Sequence, residues 1–461
     1  MTPDEFRRHG NEVVEWVASY MERVGELPIA SGVQPGEIRA KLPASAPEAP
    51  EPFEALLADL DEVVLPGITH WQAPGWFGYF PANVSPPSIL AELVSAGLGA
   101  QGMIWSSSPA LTEIEAHVLD WLVDLLGLPE HFKTAVGPGG GVIQMSASDS
   151  THLVHVVARE RAVQAGAPLE RLVAYGSSQA HSSVERGARI AGLAHVRKLA
   201  VDGAFALRPE ALREAVEHDR AAGLHPTIVT SAIGTTGTGA VDPIAAVAEI
   251  AQEHGLWHHV DAAWAGSAML CEEHRDKQAG AERADSYTFN PHKWLFTNFD
   301  CNVLWIADRA PLIGTLSILP PYLQNAATQS GEVIDYRDWH VPLGRRFRAL
   351  KLWWVLRSYG AEGLRGLLRE HVALAQELGR RVDAHPRLER VAPVSFALVC
   401  FCHAGGNEAT DGLADAINAE PTLYVTPSTV GDTRYVRVAV GQTRTTPEDV
   451  ERLWRVIDAA A

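Results

Sequence analysis

From about residue 110 the chain alternates helical patterns with short apolar runs, and this alternation limits the fold more than any other feature. The runs fall near 171–175 (RLVAY), 196–201, 226–233 (PTIVTSAI), 256–261 (LWHHVD), 285–289 and 302–307. They predict an α/β architecture with a mostly parallel sheet between layers of helix. The helix over 243–254 is the best marked, with Asp242 as N-cap, Pro243 at its first position and Gly255 as terminator. A long helical stretch ends near 384. Beyond it, strands at 396–402, 422–426 and 434–439 alternate with helices at 411–418 and 447–460, which reads as a separate α+β domain.

The N-terminal part has a different pattern. Thr2, Pro3 and Glu5 make a capping box ahead of Phe6, Val13, Trp16, Val17, Tyr20 and Val24 at helical spacing. Residues 28–52 carry six prolines and read as a linker, followed by a helix at 53–64. The apolar face of the first helix needs a cover, and an obligate dimer would supply it. The expected division is a helical dimerisation segment at 1–80, a large α/β domain at 81–365 and a small α+β domain at 366–461. Residues 308–338 lack periodicity and read as a functional loop, the competing reading being a disordered insertion.

With 56 acidic against 38 basic residues and no run of Lys or Arg, the chain has no patch for a phosphate backbone. No segment reaches the roughly 18–20 apolar residues that cross a bilayer, and the first ten residues lack an apolar signal core. A cytoplasmic protein is expected. Four scattered cysteines cannot form a disulfide framework, and CFCH at 400–403 fits an alternating strand better than a metal site.

Lys293 stands out among only six lysines, because it directly follows an apolar strand, in the turn NPHKW. Ligands of open α/β sheets bind at the carboxyl ends of strands. A buried amine there has a depressed pKa and becomes a nucleophile able to form a Schiff base; the competing reading is a structural lysine in a buried pair. Asp261 ends the strand LWHHVD on the same face as Trp257 and His259, where a carboxylate would keep a pyridine nitrogen protonated, as pyridoxal phosphate requires. The alternative is a metallohydrolase with His254, His258, His259 and Asp261 as ligands, but adjacent histidines on a strand point to opposite faces. The segment 137–162 runs from a glycine cluster through Ser146, Ala147 and Ser148 into a helix, an arrangement that presents amides and hydroxyls to an anion. Asn290 and His292 could complete that cradle. His181 lies between a strand and a helix, placed either to stack on a flat heterocycle or to cap the helix.

Together NPHKW, HVDAAWAG, SASDS and QAHSS resemble the group II pyridoxal phosphate-dependent decarboxylases, and within them the aromatic L-amino acid decarboxylases. The likeness extends through THWQAPGWFGYFPAN (69–83), SSPALTEIEAHVLDWL (107–122) and IDYRDWHVPLGRRFRALKLWW (334–354). It implies a homodimer of the type I pyridoxal phosphate-dependent transferase fold, with a seven-stranded type of sheet and the active site at the subunit interface. Lys293 would then hold the cofactor covalently, Asp261 would pair with its ring nitrogen and His181 would stack on the ring. Ser146, Ala147, Ser148, Asn290 and His292 would hold the phosphate, with Thr236 beside cofactor and substrate. Trp71, Tyr79, Phe80 and Pro81 would form an aromatic substrate wall, joined by Met103 from the partner's 100–105 segment. Gly344 would leave room for an indole as well as a phenol.

Tyr322, in LPPYLQN, matches the loop tyrosine that returns a proton to the substrate carbon after carbon dioxide leaves. Phenylalanine at that position marks relatives that release an aldehyde. The implied reaction is decarboxylation of tyrosine, dopa, phenylalanine or tryptophan. The alternatives are an aromatic acetaldehyde synthase and a glutamate or histidine decarboxylase.

Overall fold

The computed structural model describes residues 1–318, Ala327 and 333–461. Its seven-stranded sheet comprises β1 (Gly140–Gln144), β2 (Leu172–Ser177), β3 (His195–Leu199), β4 (His225–Ala232), β5 (Trp257–Asp261), β6 (Ser286–Phe289) and β7 (Asn302–Ile306), in the order β1-β7-β6-β5-β4-β2-β3. Strands β2 to β6 pair in parallel along that order. β7 runs antiparallel to both β6 and β1, so β1 points the same way as β2 to β6.

Burial on both faces explains the near-continuous apolar runs. Leu172, Ala174, Ile228 and Trp257 pack with Leu153, Val154, Val157 and Ala158 of helix Ala147–Gln164. Val173, Tyr175 and Val229 face the other way, onto Leu212, Val216, Val247, Ile250 and Ala251. The sequence pattern passed over β1, whose Gly140 and Gly141 carry no side chain to reveal a strand. A Cβ on Gly141 would come within 2.8 Å of the Trp305 indole, so the glycine is needed for the close approach to β7.

Several local expectations change. Asp242 does not cap the 243–254 helix, which spans Ile244–His254 with Pro243 in the N-cap position; Gly255 closes it in the left-handed region as expected. The Asp242 carboxylate instead accepts the amides of Leu207 and Ala232, each at 2.7 Å. The proline-rich 28–52 stretch includes a short helix, Glu37–Lys41, and a helix Ala310–Leu316 opens the 308–338 segment. The expected 422–426 strand lies later, at Thr426–Val430. The capping box of Thr2 and Glu5 is present on helix Pro3–Arg23, and the long helix ends at Ala384.

The chain forms two compact units, residues 82–384 with 390–401, and residues 1–81 with 385–389 and 402–461. In the second, Phe77 donates to the Tyr424 carbonyl and accepts from the Ala439 amide, while Val24, Ile29, Ala73 and Trp76 bury together. A four-stranded sheet has the order β10-β11-β9-β8, formed by β8 (Leu388–Arg390), β9 (Leu398–His403), β10 (Thr426–Val430) and β11 (Thr433–Ala439). No helix is long and apolar enough to cross a membrane among the described residues.

The larger unit buries many imidazoles. Desolvation lowers His155 and His371 to about 4, and His258, His259, His292 and His340 to about 3. Below pH 6.5 the unfolded chain takes up protons that these folded imidazoles refuse. Their contribution to stability is thus complete above pH 6.5 and is lost as pH falls toward 3–4, at up to about 1.4 kcal/mol per pH unit for each group. Asp242, raised by burial to about 6, and Asp285 and Asp338, also raised by burial, act in the opposite sense, but three carboxyls are outweighed by six imidazoles. The thermal midpoint at pH 5 is therefore expected to lie several degrees below that at pH 7.5; an equal or higher midpoint would contradict the burial of these rings.

Candidate active site

Strand direction assembles the site. Because β1, β2, β4, β5 and β6 point the same way, the segments after them emerge at one edge of the sheet. They carry Ser146–Ser148 after β1, His181 after β2, Thr236 after β4, Asp261 at the end of β5, and Asn290 to Lys293 after β6.

Asp261 is nearly buried, and its Oδ1 accepts the Ala263 amide at 3.0 Å. Among the described residues nothing donates to its Oδ2. Lys293 lies in the short helix Pro291–Trp294 and is half-buried, not buried as the apolar run before it implied. Its turn is held from a distant part of the chain: Asn83 donates its side-chain amide to the Lys293 carbonyl at 2.8 Å and its backbone amide to the His292 carbonyl at 3.1 Å.

His181 caps helix Ser182–Ile190, its Nδ1 accepting the Ser183 amide at 3.2 Å, so the capping role holds. The same ring reports on its neighbours. Desolvation lowers its pKa, the Asp261 carboxylate raises it and the Lys293 ammonium lowers it again. A carboxylate and an amine thus act on one imidazole, which suits a small ring gripped at two ends and covered on one face.

The glycine cluster at 139–141 runs into β1 and leaves the anion-facing turn to Met145–Ser148. Ser146 caps helix Ala147–Gln164, accepting the Asp149 amide at 3.2 Å and donating to the Asp149 carboxylate at 2.9 Å. The first-turn amides of Ala147 and Ser148 have no acceptor within the helix, and with the Ser148 hydroxyl they form a donor set suited to a phosphate. His292 accepts the Cys301 amide on Nδ1 at 2.9 Å. Burial and the nearby Lys293 charge hold its pKa at about 3, so the ring is neutral with its proton on Nε2, a donor free of charge.

Asn302, at the start of β7, went unassigned in the sequence. Its Nδ2 lies 2.7 Å from Asn290 Oδ1, 2.8 Å from Thr288 Oγ1 and 2.9 Å from the Phe289 carbonyl, and its Oδ1 accepts from Ser150 Oγ at 2.5 Å. This buried amide ties the phosphate-facing helix to the strand that precedes Lys293. A polar residue opening the apolar run CNVLWI was the one available sign.

The remaining residues sort by position. Thr236 is exposed on the loop after β4. Met103 is half-buried, and Gly344 lies close to the same segment: Gly102 donates to the Arg345 carbonyl at 3.1 Å and Gln101 accepts the Arg345 amide at 2.6 Å. Trp71, Tyr79, Phe80 and Pro81 belong to the other unit. There Trp71 stacks on Tyr79 at 5.5 Å, and Arg437 covers Phe80 at 5.1 Å. Tyr79 is half exposed at φ 49°, a strained conformation for a tyrosine. Tyr322 lies outside the described residues. The histidines of the metal alternative bind different hydroxyls, His258 to Ser231 and His259 to Ser286, and no metal-ligand cluster occurs among the described residues.

Residues 35–404 match the family model described as the pyridoxal-dependent decarboxylase conserved domain. This chain belongs to that family. Phenylacetaldehyde synthase of Arabidopsis thaliana is 43% identical over 100% of this chain and 96% of its own length, and aromatic-L-amino-acid decarboxylase of Mus musculus is 42% identical over 100% and 98%. A crystal structure of Oryza sativa TDC with PLP and tryptamine superimposes with a TM-score of 0.98 at 38% identity, covering 100% of this chain and 98% of that one. The fold is accordingly that of the pyridoxal phosphate enzymes of fold type I, and the protein is a pyridoxal phosphate-dependent carboxy-lyase.

In this decarboxylase, Asn302→Ala would leave Ser150 Oγ and Asn290 Oδ1 without their partner in a buried layer, at about 1–3 kcal/mol for each unsatisfied group. A lower thermal midpoint and weaker retention of pyridoxal phosphate through gel filtration are expected; wild-type values for both would refute the network.

Proposed function

We propose that the enzyme removes the α-carboxylate of an aromatic L-amino acid, with tyrosine, dopa, phenylalanine and tryptophan as candidates, to give the arylalkylamine and carbon dioxide. The observation that carries this reading is the placement of His181 after β2, Asp261 at the end of β5 and Lys293 after β6 at one edge of the sheet. The aromatic preference rests on the names of the relatives and on the Trp71–Tyr79 stack.

Bound pyridoxal phosphate supplies an electron sink for the pair left when the carboxylate departs. Asp261, its Oδ1 fixed by the Ala263 amide, keeps the ring nitrogen protonated through Oδ2. Lys293 tethers the cofactor, and the two bonds from Asn83 hold its turn in place. His181 stacks on the ring with its Nδ1 committed to Ser183. Ser146, Ala147 and Ser148 hold the phosphate with Asn290 and His292, while Thr236 lies beside cofactor and substrate. Trp71, Tyr79, Phe80 and Pro81 receive the aromatic ring together with the partner's Met103, and Gly344 leaves space for an indole. Tyr322 delivers a proton to the substrate carbon.

The working form is a cytoplasmic homodimer with the active site at the subunit interface. Support for the dimer comes from the exposed side chains of Phe6, Val13 and Val14 on helix Pro3–Arg23, and of Leu90, Leu93, Val94 and Leu98 on helix Pro86–Leu98. A cytoplasmic setting agrees with the four cysteines, all of them free.

Two experiments test the reading. Borohydride is expected to fix pyridoxal phosphate to wild-type enzyme and not to Lys293→Ala, with amine and carbon dioxide released in equal amounts from at least one of the four candidate substrates. Covalent fixation to Lys293→Ala, or release from glutamate alone, would refute the assignment. The second reading, an aromatic acetaldehyde synthase, has the Arabidopsis relative in its favour and Tyr322 against it. Tyr322→Phe is expected to lower amine formation by roughly 10²–10⁴-fold and to bring out aldehyde, ammonia and peroxide. Peroxide from the wild type at the rate of carbon dioxide release would favour the synthase.

A further inference from the structure

Between helix Ala147–Gln164 and the sheet, one residue row behind Asp261, lies a polar layer that the proposed reaction does not use. Thr230, His259 and Ser286 are register partners on β4, β5 and β6, and Ala232, Asp261 and Thr288 form the next row on the same face. His155 of the covering helix is close enough to affect the titration of His259. His155 and His259 are fully buried and Thr230 almost so. Even so, His155 Nε2, His259 Nε2 and Thr230 Oγ1 each find no hydrogen-bond partner among the described residues. Three such orphans together are costly, at about 1–3 kcal/mol each.

Their proton inventory can be worked out. Trp257 Nε1 can only donate, and it does so to Ser286 Oγ at 2.8 Å. Ser286 Oγ lies 2.8 Å from His259 Nδ1, and either of the two can donate, because the hydroxyl oxygen keeps a second lone pair. Where the serine donates, a neutral His259 carries its proton on Nε2. His155 is the opposite tautomer, because its Nδ1 lies 2.7 Å from the Thr151 carbonyl, which can only accept. Its Nε2 is therefore a bare acceptor. In that arrangement one imidazole offers a donor and the other an acceptor, with no direct bond between them, and Thr230 Oγ1 can act as either.

We propose that this layer is a binding site for one internal water, which accepts from His259 Nε2, donates to His155 Nε2 and takes Thr230 Oγ1 as its third partner. Three bonds are the usual complement of a buried water. The site makes His259 a positioning residue for the cofactor. Asp261 lies two residues on along the same face of β5. A His259 N–H turned that way would compete with the ring nitrogen for Asp261.

The inference rests on the assignment of Asp261 to the ring nitrogen, and its first test does not. A crystal structure of the holoenzyme at a resolution that shows ordered solvent is expected to place one water within hydrogen-bonding distance of both Nε2 atoms and Thr230 Oγ1. Empty space there, or a direct contact between the two imidazoles, would overturn the site. Thr230→Val and His155→Leu are then expected to lose the water and to raise the dissociation constant for pyridoxal phosphate several-fold, followed by absorbance on apoenzyme, with the substrate KM unchanged. Should the water vanish while cofactor affinity stays at the wild-type value, His259 has no positioning role. The second variant guards against misfolding of the first.

Discussion

The shared direction of six strands is the constraint from which the site follows. A helical crossover returns the chain to the same end of the sheet each time, so segments distant in sequence leave from one edge. The exception matters as much as the rule. Because β7 runs against its neighbours, its first residue, and not its last, lies at that edge. Asn302 therefore reaches the turn before Lys293 and the helix behind the phosphate-facing serines together, which the last residue of β7 could not do.

The polar layer under this edge needs satisfied partners because its groups are buried. Ser150, Thr288 and Asn302 are fully buried, and Thr288 also donates to the Val303 carbonyl. In such surroundings a satisfied bond gains about 1 kcal/mol and an orphaned group costs more. The layer thus acts less as a store of stability than as a jig, since most displacements of β6 against helix Ala147–Gln164 would break several bonds together.

Much of the fold was legible because apolar runs and turn residues act locally. The strands of the large sheet other than β1 fell within a residue or two of their expected places, as did the Gly255 stop and the Thr2 capping box. What escaped depended on partners remote in sequence. Asn83 and Lys293 are separated by 210 positions, and Asn302 and Ser150 by 152. No periodicity can announce such pairs. Asp242 misled for a related reason: its place before a proline fits an N-cap, but two amides on other strands and loops compete for its carboxylate and win. The glycines before Ser146 looked like an anion loop, yet the backbone needed them to bring β1 close to Trp305. The motifs of the site were readable one by one, while their convergence needed the direction of the strands.

Charge at the site is kept scarce. Four histidines, His155, His181, His259 and His292, line the edge or lie behind it, and desolvation lowers the pKa of each. A cationic imidazole at any of these positions would compete with a protonated ring nitrogen for Asp261, or with the Lys293 amine for its proton balance. Tautomer reinforces the effect at His292: the Cys301 amide occupies Nδ1 as a donor, so a second proton on that ring would first have to break a buried hydrogen bond. Burial alone would make these rings neutral, but it would leave their donors and acceptors undirected. For His292 the backbone amide of Cys301 settles which nitrogen holds the proton.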